Sequence, residues 1–272
     1  MNTHVPTRRV VCIKWGTKYP AYYVNRLYNG VRRHLQGDLR FICMTDDPTG
    51  IQPGVETIPI PNEPYAESVR LELLTSKRQG AFGKISLFKP GLFSGKGAIL
   101  GFDLDVVITG TLDELFEHAP GRVCMRHDWL AIRRGRPDGH GSVFRFDPDL
   151  HGFLYNEFAR DTVNLMRESK HSEQKYTSML AQRNNQFAYF PGEWIASFKR
   201  DAMRTFPLNH LMSPARPRAA RVVCFHGRPK MEEAVSGYSQ GPLRTARPCG
   251  WLKDEWVGIS AEADADQNKT RA

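Results

Sequence analysis

Short apolar runs recur along this chain, separated by polar breaks rich in glycine and proline, and they alternate between strand and helix character. Arg9 to Lys14 (RVVCIK) is continuously apolar at its centre, the pattern of a strand buried on both faces, and Trp15-Gly16 ends it. Tyr22 to Leu35 follows with helical spacing, placing Tyr23, Leu27, Val31 and Leu35 on one side. Leu39 to Met44 (LRFICM) predicts a second strand, closed by the turn signal Thr45-Asp46-Asp47-Pro48, and Val55 to Ile60 a third. Strand, helix, strand in this order is the signature of a parallel, Rossmann-like sheet.

Gly83 to Phe93 predicts a helix that Pro90 and Gly91 terminate. Gly97 to Phe102 (GAILGF) predicts a buried strand running into Asp103-Leu104-Asp105, with Val106 to Ile108 continuing it and Leu112 to Phe116 starting a short helix. Val143 to Phe146 reads as a strand, His151 to Ser169 and Ser172 to Asn184 as helices, and Arg221 to Phe225 (RVVCF) as a last buried strand ending at His226-Gly227. Ser213 to Arg218 is a Pro- and Arg-rich loop. No internal repeat or low-complexity linker divides the chain. Residues 1–260 read as one domain, and 261–272, small and polar, as a disordered tail.

At 272 residues the chain can bury a substantial core, and 40% hydrophobic with 25% charged residues is ordinary for a globular protein. The net charge of +9 is less ordinary and favours polyanionic partners. The basic residues are dispersed rather than striped between aromatics, which argues against a nucleic-acid partner. Two clusters stand out, Arg133-Arg134-Gly135-Arg136 and Arg216 to Arg221, and they suit peripheral contact with an anionic membrane. Cys12, Cys43, Cys124, Cys224 and Cys249 form no C-x-x-C pair, and the first four sit in apolar runs, as free core thiols of a reducing cytosol would. Met1 to Arg9 lacks the apolar run of a secretory signal, and no stretch approaches the roughly 18 apolar residues that cross a bilayer. A cytoplasmic location is expected, with possible attachment at the inner membrane face.

The sharpest chemistry lies at Asp103-Leu104-Asp105. In an extended segment, residues two apart share a face, so both carboxylates are expected to point the same way. Crowded carboxylates repel unless a cation or proton lies between them, and a hard divalent metal that also takes phosphate oxygens answers that need. Open α/β sheets bind ligands beyond the C-terminal ends of their strands, where this pair falls.

The order of these parts resembles the GT-A fold of nucleotide-sugar glycosyltransferases, especially the glycogenin and lipopolysaccharide galactosyltransferase type: an α/β/α sandwich around a mixed, mostly parallel sheet. The resemblance spans Val10 to Lys230. It rests on the D-x-D after a buried strand, on Phe82-Gly83-Lys84-Ile85-Ser86-Leu87-Phe88 before it, and on Cys224-Phe225-His226-Gly227-Arg228-Pro229-Lys230 after the last strand. It implies that Asp103, Asp105 and His226 bind Mn²⁺ or Mg²⁺, the imidazole favouring Mn²⁺. It implies that Lys84 and Lys230 neutralise the donor diphosphate and that Gly227 lets the backbone approach it. The nucleotide pocket would form at Lys14-Trp15-Gly16-Thr17-Lys18-Tyr19 and beside Leu104, with Trp15 or Tyr19 stacking on a base and Asp46 accepting from its imino group. His140-Gly141-Ser142 stands where the family carries a sugar-contacting Asn-Ser-Gly. Ser172-Glu173-Gln174 stands for Gly-Asp-Gln, with Glu173 orienting sugar or acceptor. Pro191-Gly192-Glu193-Trp194 resembles an acceptor-side loop.

The activity so implied is transfer of a sugar from a nucleotide-sugar donor, a UDP-sugar by the family, to a saccharide or lipid-linked acceptor, with retention at the anomeric carbon. An inverting enzyme would need a carboxylate base, for which Glu173 and Glu193 are the candidates. Asp103-Leu104-Asp105-Val106-Val107-Ile108 also fits the haloacid-dehalogenase phosphatase signature, but no later acidic cluster accompanies it. A basic, non-catalytic nucleic-acid binder is the remaining alternative.

Overall fold

The RVVCIK run forms β1 (Arg8–Lys14), and its two-sided burial explains why the segment shows no polar alternation. Val10 and Cys12 face one layer and Val11 the other, as the period of two in a strand requires. In this computed structural model the described residues are 7–76 and 82–257, so the tail expected at 261–272 lies outside them. After β1 come α1 (Ala21–His34), β2 (Leu39–Thr45), β3 (Val55–Pro59), α2 (Ala66–Ser76) and a 3-10 helix, Gly83–Phe88. Then follow β4 (Ile99–Phe102), β5 (Val106–Ile108), α3 (Asp113–Glu117), β6 (Val123–His127), α4 (Trp129–Arg133) and β7 (Gly139–Phe146). The second half carries α5 (Pro148–His151), α6 (Phe153–Arg160), α7 (Thr162–Glu168), α8 (Glu173–Arg183), β8 (Phe187–Phe190), β9 (Ile195–Ser197) and β10 (Val222–Cys224).

The main sheet has seven strands in the order β3-β2-β1-β4-β7-β6-β8. Only β7 runs against its neighbours; the pairs β3-β2, β2-β1, β1-β4 and β6-β8 are parallel. One face packs on α1 through Tyr23, Val24, Leu27 and Val31. The opposite face, with Val11, Ile42, Ile99, Phe144 and Phe146, packs on Leu154, Phe158, Met166 and Tyr176 of α6 to α8. The result is the expected α/β/α sandwich with a mixed, mostly parallel sheet. A second sheet of three strands, β5-β10-β9, lies beside it.

Four expectations need correction. Val106–Ile108 does not continue β4: the chain changes sheets at Leu104, and β5 pairs antiparallel with β10. The Asp103 N–H closes the β4–β7 ladder on Ser142 O (2.9 Å), whereas the Asp105 carbonyl accepts from Phe225 N (2.8 Å), so the two aspartates belong to different sheets. Gly83 to Phe93 yields only six residues of 3-10 helix, because Lys89 turns extended ahead of Pro90. His151 to Ser169 breaks into α5, α6 and α7, the second break falling where Thr162 turns its hydroxyl onto the Phe158 carbonyl. The strand expected from Val143 begins at Gly139.

Gly101 shows how tightly β4 is held. A Cβ there would come 2.2 Å from Cζ of Phe144, its partner in register across β4 and β7. Only glycine fits this crossing, two residues before Asp103.

Candidate active site

At the end of β1 the chain order in the sheet reverses: β2 and β3 lie to one side, β4 and β7 to the other. Strand ends diverge at such a switch point and leave a crevice. Here it is a cleft of about 560 Å³ whose lining includes Trp15, Gly16 and Tyr19 after β1, Lys84, and Asp103, Leu104 and Asp105 after β4; Glu173 completes it from the start of α8. These eight residues were each named from sequence, and the fold brings them to one wall-to-wall space. Trp15 is 57% exposed at its rim.

Each aspartate meets its own ammonium. Lys84 Nζ lies 2.6 Å from Asp103 Oδ1 and donates to Gly141 O at 2.7 Å, while Ser142 Oγ donates to Asp103 Oδ2 at 2.9 Å. Lys230 Nζ lies 2.9 Å from Asp105 Oδ2, which also accepts from the Tyr19 hydroxyl at 2.7 Å. Burial alone would discharge the Lys84–Asp103 pair. The attraction of Asp103, Glu173 and Asp105 outweighs it and holds the Lys84 pKa above its usual value, and Lys84 with Ser142 holds Asp103 below its own. The two side chains keep 22% and 33% exposure, so water screens part of this coupling. Burial and the neighbouring Asp105 carboxylate push the Tyr19 phenol well above its normal range.

Glu173 is placed differently. Its Oε1 accepts from the Lys84 backbone N–H at 2.6 Å, so the carboxyl faces the cleft beside Asp103 without a close cation of its own. Burial, aided by Asp103, raises its pKa to about 7 against the pull of Lys84 and of the Lys84 and Ile85 N–H groups. A carboxyl that changes charge near neutrality inside a cleft is suited to exchanging a proton or reporting a ligand's charge.

Other residues named from sequence take supporting places. Lys14 is buried, its ammonium donating to Asp47 O at 3.1 Å, so it is a structural residue of the β1–β2 edge rather than a cleft residue. Asp46 accepts from Gly16 N at 2.8 Å and so shapes the loop that carries Trp15. Gly227 has φ +78°, a left-handed conformation that side chains resist, and Lys199 Nζ lies where its Cβ would be crowded. His226 Nε2 sits 2.8 Å from Ser197 Oγ on β9 and is not among the residues lining the cleft. Burial, with Lys199 and Arg200 nearby, holds its pKa below the usual value. His140 packs against Trp129 and His226, and burial lowers it to about 4 despite Asp103 and Asp128.

Among the described residues no group of three or more His, Cys, Asp and Glu side chains is placed to hold a metal ion. The expected trio of Asp103, Asp105 and His226 is therefore not assembled. The two carboxylates have the right chemistry and face the same cleft, while the imidazole is engaged by Ser197. Ser142 and Ser197, which engage Asp103 and His226, were not singled out by sequence. Ser142 stood within the quoted His140 to Phe146 segment, but Ser197 ends a three-residue strand too short for any periodic signal.

Parts of both arginine clusters are internally paired: Arg136 with Asp138 (3.3 Å), Arg216 with Glu255 (2.7 Å), and Arg221 with Glu114 while over the Trp194 ring. No helix among the described residues is long and apolar enough to cross a membrane.

No family model matches the chain, and no curated protein matches it in sequence. Solved structures do match in fold. The glycosyltransferase GlyE of Streptococcus pneumoniae TIGR4 superposes with a TM-score of 0.57 at 14% identity, over 93% of this chain and 61% of that one. An active-site mutant of LgtC gives 0.58 at 12% identity over 93% and 95%, respectively. LgtC, described as a galactosyltransferase in complex with donor and acceptor sugar analogs, gives 0.52 at 12% identity over 82% and 88%. The chain thus spans 61% of the length of GlyE but nearly all of LgtC. It has the fold of the GT-A glycosyltransferases.

Proposed function

We propose that this chain is a glycosyltransferase whose cleft at the β1–β4 switch point binds a nucleotide-sugar, a UDP-sugar in the first instance, and transfers the sugar to a saccharide or lipid-linked acceptor. One observation carries the reading: Asp103 and Asp105 turn from two different sheets into a single cleft that also holds Lys84, Tyr19 and an exposed indole. The phosphates of such a donor need cations, the base needs an aromatic face, and the leaving diphosphate needs its growing charge stabilised. Trp15 offers the face. Lys84 and Lys230, in the cleft or bonded to its wall, supply positive charge beside the two aspartates.

Mn²⁺, or Mg²⁺, would be held by Asp103 and Asp105, with His226 as the nitrogen donor once its ring gives up Ser197. The cation's contribution would be neutralising charge on the departing diphosphate. Ser142 keeps Asp103 oriented, and Tyr19 does the same for Asp105. Glu173, in the cleft lining at the start of α8, would orient donor or acceptor, and a retaining outcome follows the resemblance to the glycogenin type. The phosphatase alternative loses support, since the chain has the fold of solved glycosyltransferases. The five cysteines are free and buried, which supports a cytoplasmic location. Arg133, Arg134 and Arg218, all exposed, are the cluster cations that would make peripheral contact with anionic lipid.

A thermal-shift panel of UDP-, GDP-, CMP- and dTDP-sugars, with and without Mn²⁺, tests the reading. One donor is expected to raise Tm in the presence of metal through mass action, and Asp105→Asn to abolish that rise with the fold intact. A panel without any shift, or a shift indifferent to Asp105→Asn, contradicts it.

A further inference from the structure

The segment from His226 to Lys230 has two sides. Lys230 reaches Asp105 on the donor side. On the other side Arg228 and Pro229 line a second cavity of about 460 Å³, together with Lys199, Met203, Tyr238, Leu243 and Arg244. Arg228 and Pro229 stood within the quoted Cys224 to Lys230 segment, but the other lining residues were not marked by sequence, because they come from separate stretches: the turn after β9 (Phe198–Ala202) and the hairpin near Pro242–Arg244.

The charge in this cavity is unbalanced. Arg228 shares Glu233 at 3.1 Å. Among the described residues, no carboxylate partners the Lys199 ammonium or the Arg244 guanidinium. Burial lowers the Lys199 pKa, and Arg244, Lys230 and Arg200 push it the same way, with no acid among the causes. Like charges gathered around one hollow repel, and the cost is recovered when a shared anion enters. Two uncompensated cations match a phosphoryl group, whose charge is about −1.5 to −2 near pH 7. A guanidinium beside an ammonium grips such a group through its fork and a point charge. Tyr238, Met203 and Leu243 supply the apolar and aromatic surface against which a sugar ring or an acyl stem rests.

We infer that the Lys199–Arg228–Arg244 cavity binds a phosphoryl group carried by the acceptor. Assigning it to the acceptor rests on the transferase reading above; the anion site itself does not. The acceptor is then a phosphorylated saccharide or a lipid-linked one, and the shared group is the phosphate.

The test uses the full chain, with glucose 6-phosphate against glucose in titration calorimetry, vesicles of phosphatidic acid in phosphatidylcholine in sedimentation, and UDP as the donor-side probe. Lys199 and Arg244 are exposed, so K199A/R244A is expected to fold as wild type. Glucose 6-phosphate should bind saturably where glucose does not, with UDP present, and the double variant should bind it roughly tenfold to a hundredfold more weakly while binding UDP unchanged. Vesicle binding lost in the double variant, without glucose 6-phosphate binding, assigns the phosphate to a lipid. Displacement of glucose 6-phosphate by UDP, wild-type affinity in K199A/R244A, or no binding of either phosphate probe overturns the inference. Absence of UDP binding alone removes the UDP-sugar donor from the transferase reading and leaves the anion site standing.

Discussion

Replacing Glu173 by Gln removes one titrating group and little else. The amide oxygen can still accept from Lys84 N, the 2.6 Å bond that fixes the side chain. In the folded protein the carboxyl titrates near 7 instead of its usual 4.5, first because it is buried and then because Asp103 is close. The folded state therefore holds this proton more tightly than the unfolded chain. Its destabilising charge is absent below pH about 4.5, develops as pH rises, and is complete above about 7. The gap between 4.5 and about 7, at about 1.4 kcal/mol per pH unit, corresponds to about 3 kcal/mol, and partial exposure reduces this to about 2 kcal/mol. Urea unfolding at pH 5, 6.5 and 8, followed by circular dichroism, reads the difference between Glu173→Gln and wild type. The variant is expected to match wild type closely at pH 5 and to exceed it by about 2 kcal/mol at pH 8. A difference that stays flat across this range, or that favours wild type at pH 8, refutes the assignment of a neutral-range carboxyl to this cleft.

Two further substitutions probe the frame and the cleft. Gly101→Ala should cost about 1–3 kcal/mol in the same unfolding assay, since its methyl would enter the Phe144 ring across β4 and β7; a neutral effect would mean that the pairing shifts freely. Trp15→Ala should weaken binding of the preferred nucleoside diphosphate by about 1–3 kcal/mol in calorimetry and leave Tm without ligand unchanged, because the indole is 57% exposed and packs little.

Strands of both sheets were legible where they are buried on both faces, because RVVCIK, LRFICM and RVVCF are short continuous apolar runs. The short strands were not: Ile195–Ser197 and Phe187–Phe190 are too brief to show a period, and their pairing is decided by neighbours distant in sequence. The acidic motif was read correctly as a strand end but incorrectly as an extended tip. Nothing local to Asp103-Leu104-Asp105 reveals that its two ends bond to Ser142 and Phe225 on different sheets. Residues at ends of predicted strands, such as Trp15 and Asp103, were found because strand ends are where parallel sheets open. The partners of those residues were harder. That Lys84 and Lys230 would each take one aspartate, and Ser197 the histidine, depends on tertiary approach alone.

The most direct measurement is release of nucleoside diphosphate from the donor that stabilises the protein. Wild type with Mn²⁺ should release it by slow hydrolysis without acceptor and faster with one. Asp103→Asn and Asp105→Asn should each lower that rate at least about a hundredfold at a temperature where circular dichroism shows each variant folded. Release at the wild-type rate by both variants would contradict an active site built on these two aspartates.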